Sequence, residues 1–137
     1  MSNNSIIAAV LGGITSFFLG FIFYAVLLMD FFKANAGSAT GVERTDDMVW
    51  WALVSGNFAL GFFFAWLFST WAGISTFKGG LKGGATVGLF MGLFYNLIGY
   101  ATANVMNLTA SLVDVVVAML MFGITGAVVA WYLGRGK

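Results

Sequence analysis

Apolar residues run along this chain in four long blocks separated by short polar breaks. The blocks extend from about Ile6 to Met29, Met48 to Ala72, Leu81 to Met106 and Leu112 to Leu133. A helix rising 1.5 Å per residue needs about 20 mostly apolar residues to cross a hydrocarbon core of about 30 Å, and each block is long enough. None carries an ionisable residue near its middle. The strict alternation of a lipid-facing barrel strand is missing. The pattern predicts an all-α polytopic membrane protein, a single four-transmembrane-helix bundle over residues 1–137.

The first block is expected to remain as a spanning helix. It is longer than the apolar part of a signal peptide, about 7–15 residues, and no Lys or Arg precedes it. The breaks differ in character. Residues 30–47 hold two basic and four acidic side chains and form the main polar loop. Within it, Thr40 and Glu43 have capping-box spacing, which predicts a short interfacial helix. Gly73 to Gly80 reads as a glycine-rich turn, and Asn107 to Ser111 as a tight uncharged one.

Composition supports lipid as the solvent. Hydrophobic residues make up 61% of the chain and charged residues 8%, against roughly 25% charged in soluble domains. The net charge of +1 offers no basic stripe, so no nucleic-acid partner is expected. Cysteine and histidine are absent, which removes thiolate chemistry, the commonest general base and the commonest metal ligand. No triad, P-loop or metal cluster is present in the sequence pattern, so neither enzymatic activity nor a cofactor is expected. Proline is absent too, leaving glycine and polar residues as the sources of any kink.

Orientation follows the basic residues. Lys78, Lys82, Arg135 and Lys137 fall on one side of a four-span topology, Lys33 and Arg44 on the other. The bias predicts a plasma-membrane protein, in bacteria an inner-membrane one, with both termini cytoplasmic. Trp50, Trp51, Trp71 and Trp131 mark the ends of spans, as interface anchors do.

In lipid, helices associate through close packing at small residues and through interhelical hydrogen bonds. Rows of small residues at intervals of four include Gly12, Ser16 and Gly20 in the first span and Gly61 and Ala65 in the second. The third carries Gly80, Gly84, Gly88 and Gly92. These rows are expected to form seams between helices of the chain; a homodimer seam and a backbone-lined ion path are the alternatives. Glycine lowers helix propensity, so the third span is the one expected to deform. A faint echo relates Gly12-Gly13-Ile14-Thr15 to Gly83-Gly84-Ala85-Thr86, and Phe23-Tyr24 to Phe94-Tyr95, as a duplicated two-helix unit would.

Polar candidates inside the spans are few. Asn57 and Asn96 each offer donors and acceptors and could bridge helices, most simply by facing one another. Tyr95, Tyr100 and Asn104 would continue a polar track from Asn96 toward the outer side. Asp114 follows Ser111 by three residues and reads as a capping carboxylate. Asp30, at the disfavoured C-terminal end of the first span, is expected to pair with Lys33.

Phe23-Tyr24-Ala25-Val26 and Phe31-Phe32-Lys33, with the glycine-rich third span, give the chain a likeness in layout. It resembles a family of uncharacterised bacterial and fungal four-helix integral membrane proteins, a domain of unknown function. Members carry an aromatic-Tyr-Ser-Pro step where Ala25-Val26 replace Ser-Pro here. The resemblance implies the four-helix fold and no particular activity. The leading expectation is a non-enzymatic membrane protein working as a homo-oligomer or with another membrane protein. The alternatives are a small channel or transporter along the third span, and binding of a lipid or hydrophobic ligand between helices.

Overall fold

The computed structural model describes residues 2–44 and 46–135. Four helices in it are long and apolar enough to cross a membrane: Asn3–Leu27, Trp50–Ala72, Phe77–Thr102 and Leu108–Gly134. The first consists of α1 (Asn3–Gly20) and a wider π-helical stretch, Phe21–Leu27; a short α2 follows (Met29–Ala34). The second is α3 (Trp50–Trp66), also ending in a π-helical stretch, Leu67–Ala72. The others are α4 (Phe77–Thr102) and α5 (Leu108–Gly134). The topology is an up-down bundle with no strand element among the described residues.

Capping moves the span edges away from the apolar blocks. Ser2 accepts from the Ser5 amide and starts α1 ahead of Ile6; Thr76 accepts from the Gly79 amide and draws Lys78 and Lys82 into α4. At the other end α4 stops at Thr102 rather than Met106. The link that follows is held by the polar loop, with Gly37 donating to the Val105 carbonyl at 2.8 Å and Ala39 to that of Asn104 at 2.9 Å. An antiparallel bridge between Ala36 and Met106 ties the polar loop to this link.

The interfacial helix expected around Thr40 does not form among the described residues. Gly41, at φ +68°, takes a left-handed conformation that breaks the helical register. The short helix lies earlier, at Met29–Ala34, and this changes the setting of Asp30. Asp30 occupies its first turn and Lys33 its last, so the helix dipole favours both. The two do not form an ion pair; the one pair among the described residues joins Arg44 and Asp47 at 3.1 Å.

The helices associate as pairs, α1 with α3 and α4 with α5, with α5 also against α1. The glycine row of α4 lies against the α5 backbone. A Cβ placed on Gly84 would stand 2.1 Å from the Phe122 carbonyl oxygen, and one on Gly88 2.5 Å from that of Ala118. In the other pair a Cβ on Gly61 would stand 2.2 Å from the Ala9 carbonyl oxygen, with Ala65 buried beside it. Gly12 and Ser16 are buried on α1, whereas Gly20 has only the Met121 methyl nearby, at 3.6 Å from an added Cβ. The third span does not deform. Gly80, Gly84, Gly88 and Gly92 are braced by α5, and the widened turns fall instead at the ends of the first and second spans.

The buried apolar core is displaced toward one end. Ala8 and Ala9 from the start of α1, Phe64 and Phe68 from the end of the second span, and Val129 and Ala130 from the end of α5 meet there. This is the end that carries both termini. α3 and α4 scarcely touch.

The two kinds of glycine on α4 should respond oppositely to alanine. Gly88→Ala drives a methyl into backbone and is expected to destabilise the protein by about 1–3 kcal/mol. Gly99 faces open space, and Gly99→Ala is expected to be neutral or to stabilise by up to about 1 kcal/mol. Reversible denaturant titration in mixed micelles measures both; equal effects would contradict the packing described.

Candidate functional site

The start of α5 determines the role of Asp114. Asn107 is the N-cap, its side chain accepting from the Ala110 amide at 2.8 Å, while its Nδ2 donates to Asn35 Oδ1 at 3.0 Å. Ser111 lies inside the helix and donates its hydroxyl to the Asn107 carbonyl at 3.0 Å. The capping reading of Ser111 and Asp114 is therefore corrected. The cap lies further up the chain, where Asn107 satisfies a free amide before Ser111 is reached. Asp114 is left well inside α5, half-buried, on the face toward α1.

There its carboxylate accepts a hydrogen bond from the Tyr24 hydroxyl. Tyr24 belongs to the π-helical stretch after Gly20, a geometry that redirects side chains relative to a regular helix and recurs at functional positions. Its ring also packs on Phe32, with centroids 5.6 Å apart. The Tyr24 hydroxyl is the only side-chain partner of Asp114 among the described residues, and no cation pairs with it.

Asn96 closes the glycine row of α4 and is 3% exposed. Its Nδ2 donates to the Gly92 carbonyl at 3.0 Å, but its buried Oδ1 has no partner. An enclosed acceptor without a donor costs about 1–3 kcal/mol. Asn57 does not face it. The Asn57 amide instead joins α3 to α1, accepting from the Ser16 hydroxyl at 2.6 Å and donating to the Leu53 carbonyl at 2.8 Å.

The expected polar track along α4 is not continuous. Tyr100 is exposed on the helix surface, and Asn104 lies beyond the helix, its carbonyl held by Ala39. Tyr100 and Asn96 share only a small cavity of about 190 Å³ with Ser111.

Asp114, Tyr24 and Asn96 instead border a larger groove of about 580 Å³. Leu60 and Phe63 of α3 form one wall, Met91 and Phe94 of α4 the other, and Ala118 and Met121 of α5 line its floor. The groove opens laterally where α3 and α4 separate, and its surface is almost wholly apolar. Taking each helix as centred in the bilayer, Asp114 and Asn96 both stand about 10 Å from the midplane, inside a half-thickness of about 15 Å. The polar groups thus cluster at one end of the groove, and the apolar remainder runs toward mid-depth.

Sequence reasoning missed Tyr24 as a site residue and misassigned Asp114. The available signal was Asn107, a cap residue that precedes Ser111 and makes a second cap unnecessary. Among the described residues, no group of acidic, histidine or cysteine side chains could hold a metal ion. No family model, curated protein or solved structure matches the chain. The fold defines a multi-pass α-helical membrane protein of four candidate spans.

The Tyr24–Asp114 contact is testable by a double-mutant cycle of Tyr24→Phe and Asp114→Ala. Interhelical hydrogen bonds in membrane proteins average about 0.6 kcal/mol, with a maximum of about 1.7. A coupling within that range is expected from unfolding titrations in mixed micelles, and strictly additive effects would show that the contact carries no energy.

Proposed function

We propose that the protein is a non-enzymatic membrane protein that takes a hydrophobic or amphipathic molecule from one leaflet into the groove between α3 and α4. The observation that carries this reading is the groove itself. It is laterally open, walled by apolar side chains from three helices, and closed at one end by Asp114, Tyr24 and Asn96. Its volume lies within the range of about 300–1,000 Å³ common to small-molecule sites. An ionisable group at such depth is costly and marks function more often than packing.

Two features that favoured other readings are accounted for within the chain. The glycine row of α4 faces α5 of the same chain, so its close-approach surface is not free for a second copy or for a line of ions. The track beyond Asn96 is interrupted at Tyr100 and Asn104. With both termini cytoplasmic, as the basic residues favour, the groove lies in the outer leaflet of the plasma membrane.

Native mass spectrometry of protein released gently from bilayers provides the test. One retained apolar or amphipathic adduct per chain is expected, and Met91→Trp, which places an indole in the groove wall, should remove it. Spectra without an adduct, or an adduct unaffected by Met91→Trp in a normally folded variant, would refute the reading.

A further inference from the structure

Resting on the groove as a binding site, we infer that its ligand is a lipophilic amine in its ammonium form, with at least one N–H to donate. The first ground is the balance of donors and acceptors at the polar end. Tyr24 has committed its proton to Asp114, and Asn96 has committed Nδ2 to the Gly92 carbonyl. One acceptor remains for a ligand, the rest of the Asp114 carboxylate, and the unpartnered Oδ1 of Asn96 is enclosed beside it. A head group that only accepts hydrogen bonds would leave the carboxylate unsatisfied, and an anionic one would be repelled by it. An ammonium group supplies donors and opposite charge together.

Aromatic faces supply the second ground. Tyr24, Phe94 and Tyr95 border the groove, and aromatic faces attract cations more strongly where water is excluded. The third is the absence of any lysine or arginine from the groove lining. A phospholipid with an ammonium head would bring a phosphate that needs such a partner. It would also have to sink that phosphate below the interface to reach Asp114, about 10 Å from the midplane. A free amine has neither difficulty. The groove extends from Asn96 back to Val87 on α4, about 14 Å at 1.5 Å per residue, which suits an extended apolar chain or fused rings behind the nitrogen.

The probe is tritiated dodecylamine, bound to the full chain in phosphatidylcholine nanodiscs and read by scintillation proximity. Saturable binding at one site per chain is expected. Unlabelled dodecylamine should compete, and dodecyltrimethylammonium, which has the charge but no N–H, should compete about tenfold less well. Dodecanol and dodecanoate should fail to compete at concentrations at which the amine displaces fully. Asp114→Asn keeps the side-chain shape and an acceptor for Tyr24, so its elution profile should be unchanged while its affinity falls about tenfold or more.

Equal competition by dodecanol or dodecanoate would overturn the inference. So would efficient competition by phosphatidylethanolamine, which would assign the site to a lipid, or wild-type affinity in Asp114→Asn. If dodecylamine does not bind but the adduct sensitive to Met91→Trp persists in native spectra, the amine assignment fails and the groove reading stands. If both are missing, both fail.

Discussion

The contact between the backbones of α4 and α5 is the constraint on which the rest of the bundle depends. Along Gly80, Gly84 and Gly88, the space where a Cβ would project is filled by α5 carbonyl oxygens and their neighbours. In lipid there is no hydrophobic driving force between helices, so such approach has to supply the van der Waals contact that holds the bundle together. With α4 seamed to α5 and α1 seamed to α3 at Gly61, the buried apolar core gathers around Phe64, Phe68 and Val129 at the terminal end, while α3 and α4 scarcely touch. The groove lies between them.

The polar groups of the groove have a matching logic. Asp114 and Asn96 end on the same depth from opposite helices of one glycine-seamed pair, and Tyr24 reaches Asp114 from the widened turn that follows α1. The loop end is tied independently by Asn35 with Asn107 and by the Ala36–Met106 bridge. These bonds hold the mouth of the bundle without filling the space between α3 and α4. The proposed entry of a molecule from the side calls for this division, with firm seams within each pair and a free flank between them.

Much of the fold was legible in the order of residues because lipid imposes so few solutions. Four apolar blocks of sufficient length leave little but four helices, and the rows from Gly12 and Gly80 marked where backbones meet. Span edges were less legible, since Ser2, Thr76 and Asn107 cap helices at positions that hydropathy ignores. The site was the least legible part. The link between Tyr24 and Asp114 joins residues 90 apart and depends on a π-helical turn with no sequence signature here. The pairing of Asn57 with Ser16 rather than Asn96 likewise depends on which helix lies opposite, a three-dimensional fact. The echo between the two halves acquires a concrete aspect in the fold. Tyr24 and Tyr95, at matching positions of the repeat, both border the groove.

The central claim is that lipid-soluble molecules reach the floor of the bundle between α3 and α4. Methyl NMR on protein labelled at methionine and alanine, in nanodiscs containing a lipid with a nitroxide near the end of its acyl chain, tests it without altering the sequence. The Ala118 and Met121 methyls on the groove floor should broaden strongly, while those of Ala65, Ala127 and Ala130, fully buried at the seams, stay sharp. Ala118 and Met121 signals as sharp as those of the seam alanines would mean that the flank is closed and would contradict the account.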